Sequence, residues 1–224
     1  VIDENGPFLL RSLRERGIDV KEIRTIDDDR KTIASAVIEL SNKFTYVFTT
    51  GGIGPTHDDI TLESVADAFE CPVVRHPDLA ARFKKRFTDP KRQAAALRMA
   101  DLPHGASVTM VDYIPVIQKE NVTIFPGVPP LMRKCFEVIA PKLRGSDFFS
   151  QAIYLNASES QIAAHLSEVQ DACPDVSIGS YPQFTDVDYR VKITVDSRSS
   201  QAVEQAIQTI SDGLDPSWII QPNS

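Results

Sequence analysis

The sequence predicts an α/β protein: a three-layer α/β/α domain with a mostly parallel sheet over residues 1–146, then a small α+β subdomain over 147–224. Three observations carry this expectation. Helical and strand-like runs alternate through the first part of the chain, the pattern of a parallel sheet covered on both faces. A glycine-rich turn follows a short apolar strand and precedes a helix, the place where open α/β sheets hold their ligands. Beyond Arg144-Gly145-Ser146-Asp147 the rhythm changes to β-α-β-β-α.

The elements follow in order. A first helix is expected over 5–16, with Phe8, Leu9 and Leu13 as apolar points and Gly17 as its stop. Residues 18–26 set Ile18, Val20, Ile23 and Ile26 among polar neighbours and read as a strand. Asp27, Asp28 and Asp29 precede the periodic stretch Thr32–Leu40, where acidic residues cap a helix and complement its dipole. Residues 44–50 (FTYVFTT) are aromatic and β-branched and read as a buried strand. Helices are expected over 62–69, 77–87 and 90–100, and a strand over Asn121–Phe125 ended by Pro126-Gly127. A long helix should run from Pro129 to Leu143, with Leu131, Met132, Phe136, Ile139 and Leu143 on its recurring face. The last part predicts strands at 152–156, 176–178 and 189–195 and helices at 158–172 and 199–214. The first of those helices opens on a capping box, Ser158 with Gln161. There is no internal repeat between the halves and no low-complexity tract.

Composition narrows the function classes. The 224 residues are 42% hydrophobic and 25% charged, ordinary globular values that exclude disordered, collagenous and coiled-coil chains. At ~150 residues per domain the length allows one domain and a smaller one. Lys and Arg number 24 against 31 Asp and Glu, a net charge of −7. Such a chain lacks the overall basic field of a general nucleic-acid or acidic-membrane binder, though it leaves room for a local basic patch. No apolar run approaches the ~20 residues that span a bilayer, and no stretch reads as a signal peptide. Cys71, Cys135 and Cys173 are odd in number, far apart and without a CxxC pair, so neither a zinc site nor a disulfide framework is indicated. A reducing, cytoplasmic setting is the expectation. Val1 is not a methionine and a helical pattern begins almost at once, so further residues are expected before it.

The stretch that carries chemistry is TTGGIGPTHDDIT, Thr49–Thr61. Gly51, Gly52 and Gly54 let backbone N–H groups approach an anion without side-chain obstruction. Thr49 and Thr50 add hydroxyls. Asp58 and Asp59 place two carboxylates beside that cradle, where they would repel phosphate unless a cation lay between. Mg²⁺ commonly takes one or two carboxylates together with substrate phosphate oxygens. A divalent metal (Mg²⁺, Mn²⁺ or Co²⁺) on a phosphorylated ligand is one reading. A tight turn with a helix cap accounts for the same residues equally well. No Lys follows the glycines, so this is not a Walker A loop, and the dinucleotide GxGxxG spacing is absent.

TTGGIGPTHDDIT closely resembles the signature loop of the molybdopterin-binding-fold family, nearest to its CinA-like (competence/damage-inducible) members and to the amino-terminal domain of eukaryotic FAD synthases. Three further segments match in order. Asp3 and Asn5 resemble a D-x-N at the start of the family's first helix. Residues 91–106 (KRQAAALRMADLPHGA) resemble its segment ending in a P-x-GA turn. Residues 125–129 (FPGVP) resemble the loop that faces the first one across the site. Residues 151–214 resemble the KH-type subdomain of CinA-like proteins. The chain departs from the family in three places. The 224 residues show no G-D-E-I-L-like element, Leu131-Met132 stands where the family has Glu-Met, and the amidase and FAD-synthesising activities of longer relatives are not expected of these residues.

The resemblance implies a divalent-metal-dependent pyrophosphatase acting on FAD or ADP-ribose, with Asp58 and Asp59 on the metal or the attacking water. Thr50, Gly51, Gly52, Gly54 and Thr61 would hold phosphate, and Asp3, Asn5, Pro126, Gly127 and Pro129 would wall the pocket. Two alternatives stand beside it: a molybdopterin-binding protein of molybdenum cofactor biosynthesis, and a non-catalytic nucleotide-binding module. A homo-oligomer is expected. RNA binding is not, because residues 151–224 contain only Gly179 and Gly213, supply no GXXG loop and are not basic.

The remaining candidates have plainer explanations. His57 in the loop can act as an acid or base, but a solvent-facing turn histidine is the simpler role. His76, His104 and His165 have no ligand spacing. Lys84-Lys85-Arg86 is either a solvated helix face or a phosphate contact. Arg98 is either a phosphate partner or half of a surface ion pair. Trp218 is expected to pack within the small subdomain.

Overall fold

The computed structural model describes residues 2–184 and 188–221. They form two compact units. The first comprises residues up to Arg11 together with Lys21–Leu143, and the second comprises Ser12–Val20 together with the chain from Arg144 onward.

The first unit is built from α1 (Asn5–Arg14, whose last turn belongs to the second unit), α2 (Arg30–Lys43), β1 (Val47–Thr50), α3 (Thr61–Ala68), β2 (Val73–Arg75), α4 (Pro77–Arg86), α5 (Pro90–Arg98), β3 (Asp101–Pro103), β4 (Ser107–Val111), β5 (Ile114–Lys119), β6 (Val122–Phe125) and α6 (Pro129–Ile139). Its main sheet has the order β1-β6-β5-β4. β1 and β6 pair in parallel, with Thr50 opposite Phe125, whereas β6-β5 and β5-β4 are antiparallel. The parallel character therefore resides in the pair that leads into the two loops.

Strand alternation divides the burial between two helical layers. Val47, Val122 and Ile124 face one side and join Ile33 and Val37 of α2, Leu62 and Val65 of α3, and Leu79 and Phe83 of α4 in one core. On the other side Phe48 stacks on Phe125 with ring centroids 6.0 Å apart. Phe125 meets Phe136 of α6 at 6.4 Å, and Phe8 of α1 meets Phe136 edge-on at 5.5 Å. Each such aromatic pair adds about 0.5–1.5 kcal/mol beyond its buried area.

Local chemistry sets the helix starts. Asp29 accepts a 2.8 Å bond from Thr32 N at the start of α2, and Asp89 accepts one of 2.9 Å from Arg92 N at the start of α5. His76 caps α4 through Nδ1. The strand expected over 18–26 does not form. It joins none of the sheets, and β1 stays an edge strand paired only with β6. Within the first unit its 21–26 portion is held along α2 by side chains instead: Arg24 binds Glu39 and Glu22, and Lys43 binds Glu22. The β4–β5 hairpin and the short β2–β3 pair have no counterpart in the sequence-based expectation.

The second unit contains β7 (Phe149–Leu155), α7 (Glu159–Ala172), β8 (Val176–Pro182), β9 (Val191–Ser197), α8 (Ser200–Asp212) and β10 (Ile219–Ile220). Its sheet, ordered β10-β7-β9-β8, is antiparallel throughout. Ile153, Leu155, Ile193 and Val195 pack under Ile162 and Leu166 of α7 and Val203, Ala206 and Ile210 of α8. The capping box at Ser158 is present, and Trp218 packs against this core. The opposite face takes residues 12–20: Arg14 pairs with the buried Asp196, and Arg198 donates to Gly17 O (2.7 Å) and Asp19 (2.9 Å). At the free edge of β8 the Gln170 amide donates to Val176 O (2.8 Å) and accepts from Ile178 N (2.9 Å), standing in for a neighbouring strand.

Among the described residues no helix is long and apolar enough to cross a membrane. Cys135 is fully buried on α6, and burial pushes its thiol up to about 11. Its thiolate is therefore scarce at any pH below that value. At pH 8 a thiol reagent such as DTNB should titrate Cys71 and Cys173 in the native protein, with Cys135 reacting only after denaturation.

Candidate functional site

The parallel pairing of β1 and β6 delivers two loops to one edge of the sheet. Beyond Thr50 the ladder runs one step further, because Gly51 N donates to Phe125 O at 3.0 Å. Here the backbones of Gly51 and Gly127 meet. A Cβ on Gly127 would sit 3.0 Å from Gly51 Cα, tight enough that the two loops would have to give by a few tenths of an ångström. Gly51 and Gly52 both adopt the left-handed conformation, at φ 96° and 65°, which costs a Cβ-bearing residue about 1–2 kcal/mol. A Cβ on Gly52 would also collide with the Thr61 hydroxyl.

Two side chains lock this contact. Thr61 Oγ1 donates to Gly51 O at 3.0 Å while Thr61 N donates to Gly52 O at 3.0 Å, so the first residue of α3 holds the loop. Asn5, 7% exposed, donates from Nδ2 to Gly127 O at 2.8 Å. Its Oδ1 is buried without a hydrogen-bond partner among the described residues, as is Thr49 Oγ1. The N-termini of α3 and α6 follow the two loops, and their N-cap residues, Ile60 and Val128, make no side-chain cap bond. With Thr61 N already bonded to Gly52 O, the start of α3 offers the next N–H groups, those of Leu62 and Glu63, whereas α6 opens on Pro129-Pro130, which carry no N–H, and so contributes the Leu131 N–H and the positive end of its dipole to an anion.

The far end of the first loop carries the acids. Thr56 Oγ1 lies 2.5 Å from both Asp58 Oδ1 and Asp59 Oδ2, and Thr56 N donates to Asp59 Oδ2 at 2.9 Å. One hydroxyl has a single proton, so it donates to one carboxylate at a time and brings the two together. The Thr56 hydroxyl, with the backbone N–H of Asp58 and nearby His57, holds the Asp58 carboxyl below its ordinary value of 3.8. Asp58 and His57 are exposed, and Asp59 is half-buried. Arg98, at the end of α5, donates to Pro55 O across this loop at 3.4 Å.

The residues expected at the site thus fall into three groups. Asn5, Gly51, Gly52, Thr61 and Gly127 come together directly. Thr50 closes β1 with an exposed residue beside them, Pro126 is buried behind Gly127, and Pro129 opens α6. Asp58, Asp59 and Gly54 share the loop tip, where a Cβ on Gly54 would lie 2.6 Å from Asp59 Oδ2. Asp3 serves the helix start. Its Oδ1 accepts from Asn5 N and Gly6 N, both at 3.0 Å, and so caps α1. The role of Thr56 was not expected, although a Thr two and three residues before acids is the spacing of such a turn.

The donor set suits a metal only in part. The bonds to Thr56 engage Oδ1 of Asp58 and Oδ2 of Asp59, leaving each carboxylate a second hard oxygen. Among the described residues no group of three or more His, Cys, Asp or Glu side chains forms a metal cage. The pair therefore fits a hard divalent ion shared with a ligand's phosphate oxygens, not an ion bound by protein alone.

The arrangement defines a class: a three-layer α/β domain with paired loops beyond the ends of parallel strands, where open α/β sheets hold their ligands. Comparison with known proteins agrees. Residues 1–145 match the family described as a probable molybdopterin binding domain, and residues 147–223 match the FAD synthase middle domain. The chain belongs to the molybdopterin-binding domain family. A protein of Archaeoglobus fulgidus is 30% identical over 96% of this chain and 91% of its own length. A CinA-like protein of Gloeobacter violaceus is 31% identical over 96% of this chain and 53% of its own, and a probable FAD synthase of Caenorhabditis elegans is 26% identical over 95% and 46%. The chain thus spans about half the length of the CinA-like and FAD synthase relatives. The solved structure of CinA from Thermoplasma acidophilum shares the fold, with a TM-score of 0.59 and 24% identity over 63% of this chain and 88% of that one.

Thr56→Val should release Asp58 toward its ordinary value. The lowered value means that the Asp58 charge is present above pH 3.8 and is lost only as pH falls through a more acidic point. A carboxyl-carbon NMR titration should show the Asp58 midpoint moving upward in the variant.

Proposed function

We propose that this protein binds a phosphate-bearing small molecule across its two glycine loops and, with a divalent metal, hydrolyses the pyrophosphate bond of FAD or ADP-ribose. The observation that carries the reading is the backbone contact of Gly51 with Gly127, flanked by the uncapped starts of α3 and α6. Backbone donors at such a place bind phosphoryl oxygens without a lysine. Asn5 and Thr61 orient the two loops. Asp58 and Asp59 would hold the metal, which when bound polarises phosphoryl oxygens and makes a coordinated water more acidic. No covalent nucleophile is needed, because positioning and charge stabilisation supply most of the catalysis in phosphoryl transfer. The depressed value of Asp58 suits a metal ligand, since the carboxylate stays ionised well into acid. In this reading residues 1–146 form the ligand-binding domain of a cytoplasmic homo-oligomer with neither nucleic acid nor membrane as partner.

A second reading, tight molybdopterin binding without turnover, draws on the family's own description and on the lack of a third metal carboxylate among the described residues. Both ligands join a phosphate to a fused ring.

Release of AMP from FAD and from ADP-ribose, assayed with Mg²⁺, Mn²⁺ and Co²⁺, separates the two. Metal-dependent release that falls at least about a hundredfold in Asp59→Ala is expected, the scale of losing one charge-stabilising group. No release with any metal, together with tight molybdopterin binding, would favour the second reading.

A further inference from the structure

The α4–α5 hairpin is the one strongly basic stretch of an acidic chain. Residues 77–98 carry seven cations (Arg82, Lys84, Lys85, Arg86, Lys91, Arg92 and Arg98) against two acids, a net of +5 where the whole chain is −7. Of those acids, Asp89 is committed to capping α5. None of the seven cations forms an ion pair among the described residues. By contrast Arg24, Arg30, Arg75, Arg133, Lys134 and Arg198 all do. Leu79, Ala80, Phe83 and Ala96 bury the apolar faces of the two helices, so the charge lies outward. Surface cations on an acidic protein usually find carboxylates, and a cluster that has found none keeps its whole field for something outside the chain.

The hairpin ends at the candidate site. Arg98, its last residue, donates to Pro55 O in the glycine loop and leaves the rest of its guanidinium fork free. Arg92 and Lys91 lie six and seven residues earlier on α5, roughly 10 Å along the helix. That distance is close to the Debye length at physiological salt, about 8 Å. Arg98 can therefore touch a ligand, while the others act through their field.

We propose that this hairpin is the anion-recognising wall of the candidate site. Arg98 contacts a phosphoryl oxygen of a ligand seated on the glycine loop, and the other cations draw in ligands bearing two or more negative charges. The proposal rests on the phosphate-ligand reading above and adds its charge class: a diphosphate is favoured over a monophosphate. It also explains how a site with two carboxylates at its lip attracts an anion at all.

The test measures FAD association and dissociation by stopped-flow fluorescence at 20, 150 and 500 mM NaCl. Wild type is compared with Arg98→Ala, Arg98→Lys and the triple variant K84E/K85E/R92E, each checked for an unchanged melting temperature. In wild type the association rate should fall about tenfold or more across the salt series. The triple variant should start slow and lose most of that salt dependence, with its dissociation rate near wild type. Arg98→Ala should dissociate roughly tenfold faster, and Arg98→Lys should recover part of the loss. A triple variant with the wild-type salt slope would overturn the proposal, as would preferential binding of a 20-base-pair DNA duplex that FAD does not displace. Inorganic pyrophosphate, followed by amide NMR shifts at Gly51, Gly52 and Leu62, separates this from the hydrolase reading. Salt-dependent pyrophosphate binding without AMP release leaves the hairpin's role standing and removes the activity. No binding of FAD or of pyrophosphate at 20 mM NaCl would end the proposal itself.

Discussion

The close approach of the Gly51 and Gly127 backbones is the constraint on which the geometry of the first unit's candidate site depends. It exists because β1 and β6 run parallel and in register to their last residues, so both loops emerge at one edge. It survives because neither partner has a side chain and because Asn5 and Thr61 each tie one loop to a helix start. The result is a side-chain-free floor, tied by hydrogen bonds, between the starts of α3 and α6, neither of which has a side-chain cap. A loop alone would supply donors without fixed direction, and the sheet supplies the direction.

The layers behind this floor serve it. Phe48, Phe125, Phe136 and Phe8 form a continuous aromatic contact from β1 to α1, which fixes the helix that carries Asn5. On the opposite face Leu62 and Val65 anchor α3, and with it Thr61, against Val47 and Ile124. The charges are divided with equal economy: paired acids at the loop tip under one threonine, unpaired cations along the adjoining hairpin. Either group alone would repel one half of a metal–phosphate ligand.

Much of this was legible in the sequence. The TTGGIGPTHDDIT segment falls between a β-branched run and an amphipathic one, and both elements form there. Helix starts at Asp29, Asp89 and Ser158 are written in capping residues that act within three positions. What stayed hidden depends on partners distant in the chain. The 18–26 segment has the composition of a strand, but a strand needs a neighbour and this one finds α2 instead. The β4–β5 hairpin is short and turns through Asp112 at positive φ without a glycine, so no turn signal marks it. The capping of α1 by Asp3 shows only once Asn5 N and Gly6 N turn toward it, and Thr56, whose spacing before the acids is that of a turn, shows its double duty only when both acids fold back onto it.

The most direct measurement is the affinity for inorganic pyrophosphate, by isothermal titration calorimetry, in the native protein and in Gly127→Ala. The added methyl would press on Gly51 Cα and spread the two loops by a few tenths of an ångström, with no hydrogen bond or charge removed. If the backbone contact builds the anion site, affinity should fall at least about tenfold while the melting temperature changes little, the scale of misplacing preorganised donors. Unchanged affinity with the loops spread would show that the anion is held elsewhere and would contradict the site described here.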